Sequence, residues 1–151
     1  MRSVSPINVL VVDESEAFLA SMRRWIESCG DLRLVGVARD GHEALRAVEL
    51  LRPDLVIVEA ALSGMDGFRL ACVLKERDDA PWVLLATFHA SVAARDEAYA
   101  AGADGLVAKG DFSDEIEAIL EEWRAGSPGP GGRVTTPAKP ARRGSRTSPD
   151  P

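Results

Sequence analysis

The chain has only two cysteines and two histidines. Cys29 and Cys72 stand in helix-like sequence, outside any CxxC pair and away from ligand-spaced histidines, which excludes a disulfide framework or a cysteine metal site. They are expected to be core thiols in a reducing cytoplasm. His42 and His89 fall in different crossovers with no serine or cysteine at nucleophile spacing, so histidine-based catalysis is excluded and no enzyme activity is expected. Long apolar runs are also missing. INVLVV and LVIV are strand-sized, the N-terminus MRSVSPINVL lacks the apolar stretch of a secretory signal, and a cytoplasmic protein without membrane contact is expected. The turn after the first strand, DESEAF, carries no glycine. A nucleotide- or flavin-using α/β enzyme would need exposed backbone N–H groups there to cradle phosphate, which leaves that class the weakest of three readings.

Basic charge is scarce in the body. Residues 1–126 hold 13 Lys and Arg against 23 Asp and Glu, while residues 127–151 hold five bases and one acid. An acidic body lacks the basic face that nucleic-acid binding requires, so no nucleic-acid partner is expected for the domain itself. The stretch from 127 to 151 contains six of the nine prolines and almost no large apolar side chain, and is expected to be a disordered tail. Its Arg142, Arg143 and Arg146 most simply act as a solvated end. A single domain over residues 1–126 is expected, and no second domain is expected after it.

Within that domain, short β-branched runs alternate with segments of helical period, the pattern of βαβ units. Strands are predicted at Ile7 to Val12, Leu32 to Ala38, Leu55 to Val58, Trp82 to Ala86 and Gly105 to Ala108. Several are apolar on consecutive positions, as in a parallel sheet covered on both faces. Helices are predicted near Glu14 to Cys29, His42 to Leu51, Gly67 to Arg77 and Val92 to Ala101. A last helix is capped by Ser113 and stopped by Gly126, with Ile116, Ile119, Leu120 and Trp123 buried. Arg52-Pro53 and Gly102 end two of the others. Trp25 is read as core, and Trp82 as partly exposed.

Ligands of an open parallel α/β sheet bind beyond the carboxyl ends of its strands. There the sequence places Asp13-Glu14 after strand one, Glu59 after strand three and Lys109 after strand five. Three neighbouring anions stay ionised only with opposite charge among them. Lys109 and a hard divalent ion such as Mg²⁺, with a carbonyl near Ala61, would supply it. Taken singly, Asp13 could be a helix cap, Glu59 a solvated strand-end acid and Lys109 a surface base; their joint placement argues otherwise.

The segments VLVVDES, PDLVIVEAALSGMDGF and GADGLVAKG, in this order and phase, resemble the three motif segments of bacterial response-regulator receivers. The resemblance covers residues 7–125. It implies a flavodoxin-like α/β fold, a doubly wound five-stranded parallel sheet of order 2-1-3-4-5 with five helices, and a role in two-component or phosphorelay signalling. It also implies Mg²⁺ bound by Asp13 and Glu14, a phosphate-accepting residue at position 59, and phosphoryl contact by Lys109. A histidine kinase or downstream regulator is the implied protein partner, docking on a face with Arg95, Tyr99 and Leu106.

Three positions depart from the family. The hydroxyl expected at the end of strand four falls on Ala86, with Thr87 one residue later, where a slip or bulge could bring it into place. The aromatic expected on strand five falls on Leu106. Glutamate, Glu59, replaces the phosphate-accepting aspartate, and its extra methylene carries the carboxylate ~1.5 Å farther from the backbone. Phosphoryl transfer rests on positioning, so such displacement can cost ~100-fold in rate. An atypical, stand-alone receiver acting by protein binding, with Glu59 reaching Lys109, is therefore expected. The alternative is a phosphorelay shuttle accepting phosphate on Glu59 or a neighbour such as Asp54 or Asp66, although these two are more simply a strand-start acid and a helix cap.

Overall fold

A computed structural model describes residues 6–126; the predicted tail lies outside them. Five strands alternate with five helices: β1 (Ile7–Val12), α1 (Glu16–Ser28), β2 (Leu32–Ala38), α2 (Gly41–Leu51), β3 (Leu55–Glu59), α3 (Gly67–Lys75), β4 (Trp82–Thr87), α4 (Val92–Ala100), β5 (Gly105–Ala108) and α5 (Phe112–Arg124). The strands form one parallel sheet in the order β2-β1-β3-β4-β5. This is the doubly wound arrangement expected from the sequence.

Alternation along each strand divides the core. Val9, Val11, Leu55, Ile57, Leu84 and Val107 pack against α1 and α5, through Phe18, Met22, Ile26, Ile116, Leu120 and Trp123. Leu10, Val12, Val56, Val58, Val83, Leu85 and Leu106 pack against α2, α3 and α4, through Val48, Leu70, Leu74 and Ala98. Strands buried on both faces carry no polar face, which is why they read as unbroken apolar runs. Among the described residues no helix is long and apolar enough to cross a membrane.

Caps set the helix starts. The side chains of Ser15, Asp40, Asp66 and Ser91 each accept a backbone N–H in the first turn of α1, α2, α3 and α4. Gly102, with φ 96°, closes α4 in a left-handed conformation that side chains resist.

Four expectations are corrected. Ser113 does not cap α5, because a 3-10 turn at Lys109–Asp111 leads directly into a helix that begins at Phe112. Trp82 is 7% exposed, since its ring packs 4.2 Å from that of Trp123. Trp25 is half-buried at the rim of the core, edge-on to Phe112. The thiols are not both core: Cys72 lies on the outer side of α3 and is exposed, and Cys29 caps α1 half-buried.

Candidate functional site

The period of two that buries Val9 and Val11, Leu55 and Ile57, and Val107 carries the next same-side positions beyond the core. These are Asp13, Glu59 and Lys109, and they meet at the carboxyl edge of β1, β3 and β5. The Lys109 Nζ lies 2.7 Å from Asp13 Oδ2 and in direct ion-pair contact with Glu59 Oε1. The side chains of Lys109, Asp13 and Glu59 are 2%, 3% and 13% exposed. Charges so withdrawn from water persist only when paired and hydrogen-bonded, and each carboxylate has a second donor. Asp13 Oδ1 accepts the Ser15 N–H at 2.8 Å, and Glu59 Oε2 accepts the Ala61 N–H at 2.7 Å.

Two rings complete the surroundings of the ammonium. The centroid of Phe18, from α1, is 4.4 Å from Nζ, and that of Phe88, from the β4–α4 loop, is 4.9 Å away. Both are within cation–π range. Phe18 is one of the buried residues by which α1 packs on the sheet. Phe88 follows a strand end, the same signal that singled out Asp13, Glu59 and Lys109.

Glu14 has the opposite parity and is exposed. Its carboxylate reaches across to the β3–α3 loop, where Oε2 accepts the Ser63 N–H at 2.6 Å. Hydrogen bonds from Ser63, side chain first and backbone second, hold the Glu14 carboxyl below its ordinary pKa.

The ammonium stands between the two buried carboxylates, and Asp13 Oδ2, although close to Lys109 Nζ, is buried without a hydrogen-bond partner among the described residues. Ala61 engages Glu59 through its N–H. Among the described residues no group of three or more histidine, cysteine or acidic side chains is disposed to hold a metal ion.

Ala86 pairs directly with Glu59 across the β3–β4 ladder and is fully buried. The β3–β4 and β4–β5 pairings run without a register shift, so no bulge brings Thr87 into that place. Thr87 has the other parity, and its Oγ1 accepts the His89 N–H at 3.1 Å.

Leu106 is 1% exposed and belongs to the core beneath α4. Its proposed place on a partner-facing surface is corrected: α4 covers it, and only its carbonyl is engaged, by Arg95 Nη1 at 3.2 Å. Arg95 and Tyr99 are half-buried on α4.

Two nearby acids have structural duties. Asp66 caps α3 by accepting the Arg69 N–H at 2.9 Å, and Asp54 Oδ2 accepts the Asn8 N–H at 2.9 Å at the other end of the sheet. The start of α3 also fixes Glu59. A Cβ on Gly67 would lie 2.8 Å from the Ala60 Cα and against the Glu59 carbonyl, so only glycine lets α3 approach this closely.

An open parallel sheet with two acids and a lysine gathered at its carboxyl edge defines a doubly wound α/β protein with its site in the usual crevice of that class. The chain belongs to the response regulator receiver domain family, whose model matches residues 9–121, and so to two-component signalling. It is 40% identical over 85 residues to protein-glutamate methylesterase/protein-glutamine glutaminase 5 of Myxococcus xanthus, covering 56% of this chain and 24% of that protein. The signal receiver domain of the putative response regulator NarL from Mycobacterium tuberculosis superposes with a TM-score of 0.72 at 27% identity, over 78% of this chain and 96% of that one. A two-component response regulator of the LuxR family from an Aurantimonas strain gives 0.74 at 29% identity, over 82% and 88%. The chain spans between 15% and 39% of the length of the first three curated relatives, all protein-glutamate methylesterases.

Proposed function

We propose that this receiver is an atypical one, held in a single conformation by its own Lys109 and acting through protein binding rather than through phosphorylation of residue 59. The observation that carries this reading is the engagement of both Glu59 oxygens, one by the Lys109 ammonium and the other by the Ala61 N–H. A nucleophilic carboxylate must present a free oxygen in line with phosphorus, at near-contact distance. Here the longer side chain places its charge on the lysine that would otherwise steady an incoming phosphoryl group. Lys109 supplies part of the positive charge that the acidic pocket requires.

The natural partner for such a domain is a protein of the same signalling system, a histidine kinase or a downstream regulator, that reads the fixed surface. Intact-mass spectrometry after incubation with acetyl phosphate and Mg²⁺ tests the reading. An unchanged mass is expected. A phosphate-sized increase that disappears in Glu59→Ala would establish the alternative, a phosphate-accepting shuttle. Thermal melting gives a second check, since a ligand that binds only the folded form raises its stability. Adding beryllofluoride to millimolar Mg²⁺ is expected to raise the Tm no further than Mg²⁺ alone does.

A further inference from the structure

At the end of the sheet opposite the carboxyl edge, a cleft of about 250 Å³ opens between the end of α1, the start of β2 and α5. Leu32 and Leu120 form its buried floor, and Asp31, Glu117, Glu121 and Arg124 line its rim. Three acids there face one base. Arg124 is engaged by Asp31, so among the described residues Glu117 and Glu121 stand without an ion pair. They lie four residues apart on one face of α5, where like charges repel. The Cys29 thiol, on the same cleft, is raised in pKa chiefly by burial against a hydrogen bond with Ser28, and it feels Glu117 and Asp31 each more strongly than Arg124. The cleft is therefore negative.

The chain carries the matching charge close by. Arg124, in the last turn of α5, is on the rim, and Gly126, with φ 82°, turns the backbone off the helix axis. Residues 127–151 hold Arg133, Lys139, Arg142, Arg143 and Arg146 against a single acid, Asp150. Glu121 and Glu117 lie back along α5 from Gly126 by about 8 and 13 Å of helix, whereas the stretch from Gly126 to Arg133 can span up to about 25 Å. Reach is ample. A single exposed ion pair holds weakly, but a tether keeps every base at an effective concentration of roughly millimolar.

We propose that the basic segment 133–146 docks in the cleft of its own domain, with its arginines against Glu117 and Glu121, instead of ending as a solvated tail. The docked segment covers the α1–α5 face, and a protein that binds this face must first displace it. Nothing in this contact depends on how Glu59 meets Lys109.

The full chain carrying Cys29→Ala, Cys72→Ser and Ser145→Cys takes a nitroxide on its one thiol. At ~0.01 M salt the label should cut the amide signals of residues 29–32 and 117–124 by about half or more. At ~1 M salt, where the screening length falls from ~30 to ~3 Å, those signals should recover. Adding Glu117→Lys and Glu121→Lys, both at exposed positions, should abolish the effect, and Arg142→Glu, Arg143→Glu and Arg146→Glu in that background should bring it back. Broadening spread evenly over the domain, or indifferent to the changes at Glu117 and Glu121, overturns the proposal. Equal broadening in a mixture of nitroxide-bearing chain with isotope-labelled, nitroxide-free chain would put a second copy in the cleft and overturn it as well. In a chain that keeps both cysteines, the salt-induced shifts of the same amides should vanish when the five bases are replaced by serine; shifts that persist count against docking.

Discussion

Glu59 stands directly opposite Ala86 across the β3–β4 ladder, so its strand neighbour offers a methyl group and no hydroxyl. The longer acid turns to Lys109 and Ala61, and no neighbour on β4 competes for it. Shortening the acid in Glu59→Asp should withdraw the carboxylate by about one bond length and free an oxygen for attack. With acetyl phosphate and Mg²⁺, Glu59→Asp should gain phosphate-sized mass where the wild type does not, and Glu59→Asp with Ala86→Thr should gain it faster. A silent Glu59→Asp protein that melts like the wild type would mean that residue 59 is not what blocks the chemistry.

Lys109 neutralises only part of the buried charge it faces, so its loss should be costly. Lys109→Met leaves Asp13 and Glu59 without their cation in a site where both side chains are largely withdrawn from water. Breaking a buried ion pair on one side costs about 3–5 kcal/mol. Adding Glu59→Gln and Asp13→Asn removes the stranded charges while keeping oxygens to accept the Ala61 and Ser15 N–H groups. The triple variant should regain most of the loss in urea denaturation, and purely additive effects would show that the three groups are not coupled.

The strands and their order were legible because both faces of the sheet are covered, which writes consecutive apolar residues into the chain. β1, β2 and β5 fall on their predicted bounds, and β3 and β4 run one residue longer. The convergence of Asp13, Glu59 and Lys109 was legible for the same reason, since each follows an apolar strand in the same parity. Less legible was everything set by loops. The direction of Glu14 depends on where the β3–α3 loop brings the Ser63 N–H, and the reach of Phe88 depends on hydrogen bonds after β4. Leu106 shows a further limit: β5 is an edge strand in sequence order, but α4 lies over it, so an apparent surface position is core.

That burial separates Leu106 from Val92 at the start of α4. Leu106→Ala should cost about 2–5 kcal/mol, because the atoms removed leave a cavity among Leu85, Ala98 and Ala103. Val92, 78% exposed, should tolerate Val92→Ser within about 0.5 kcal/mol. Chemical denaturation measures both. A Leu106→Ala protein as stable as the wild type would return Leu106 to the surface and reopen its role in docking.

Cys29 and Cys72 provide a last check that needs no functional assay. The Cys29 thiol is pushed above its ordinary pKa chiefly by burial, which outweighs the lowering hydrogen bond with Ser28; the charges of Glu117 and Asp31 add smaller upward pushes, and Arg124 opposes least. Only the thiolate is a nucleophile, so at a pH of about 8 iodoacetamide should modify exposed Cys72 well before Cys29. The same shift has a sign for stability. The folded state holds the Cys29 proton more tightly than the unfolded chain does, so this contribution is fully present below the ordinary thiol pKa of about 8.5. It is lost as pH rises through the folded value. Cys29→Ala should therefore flatten the alkaline fall in urea stability. Equal alkylation rates at the two cysteines would show that the end of α1 opens far more readily than its packing against Leu32 and Leu120 allows.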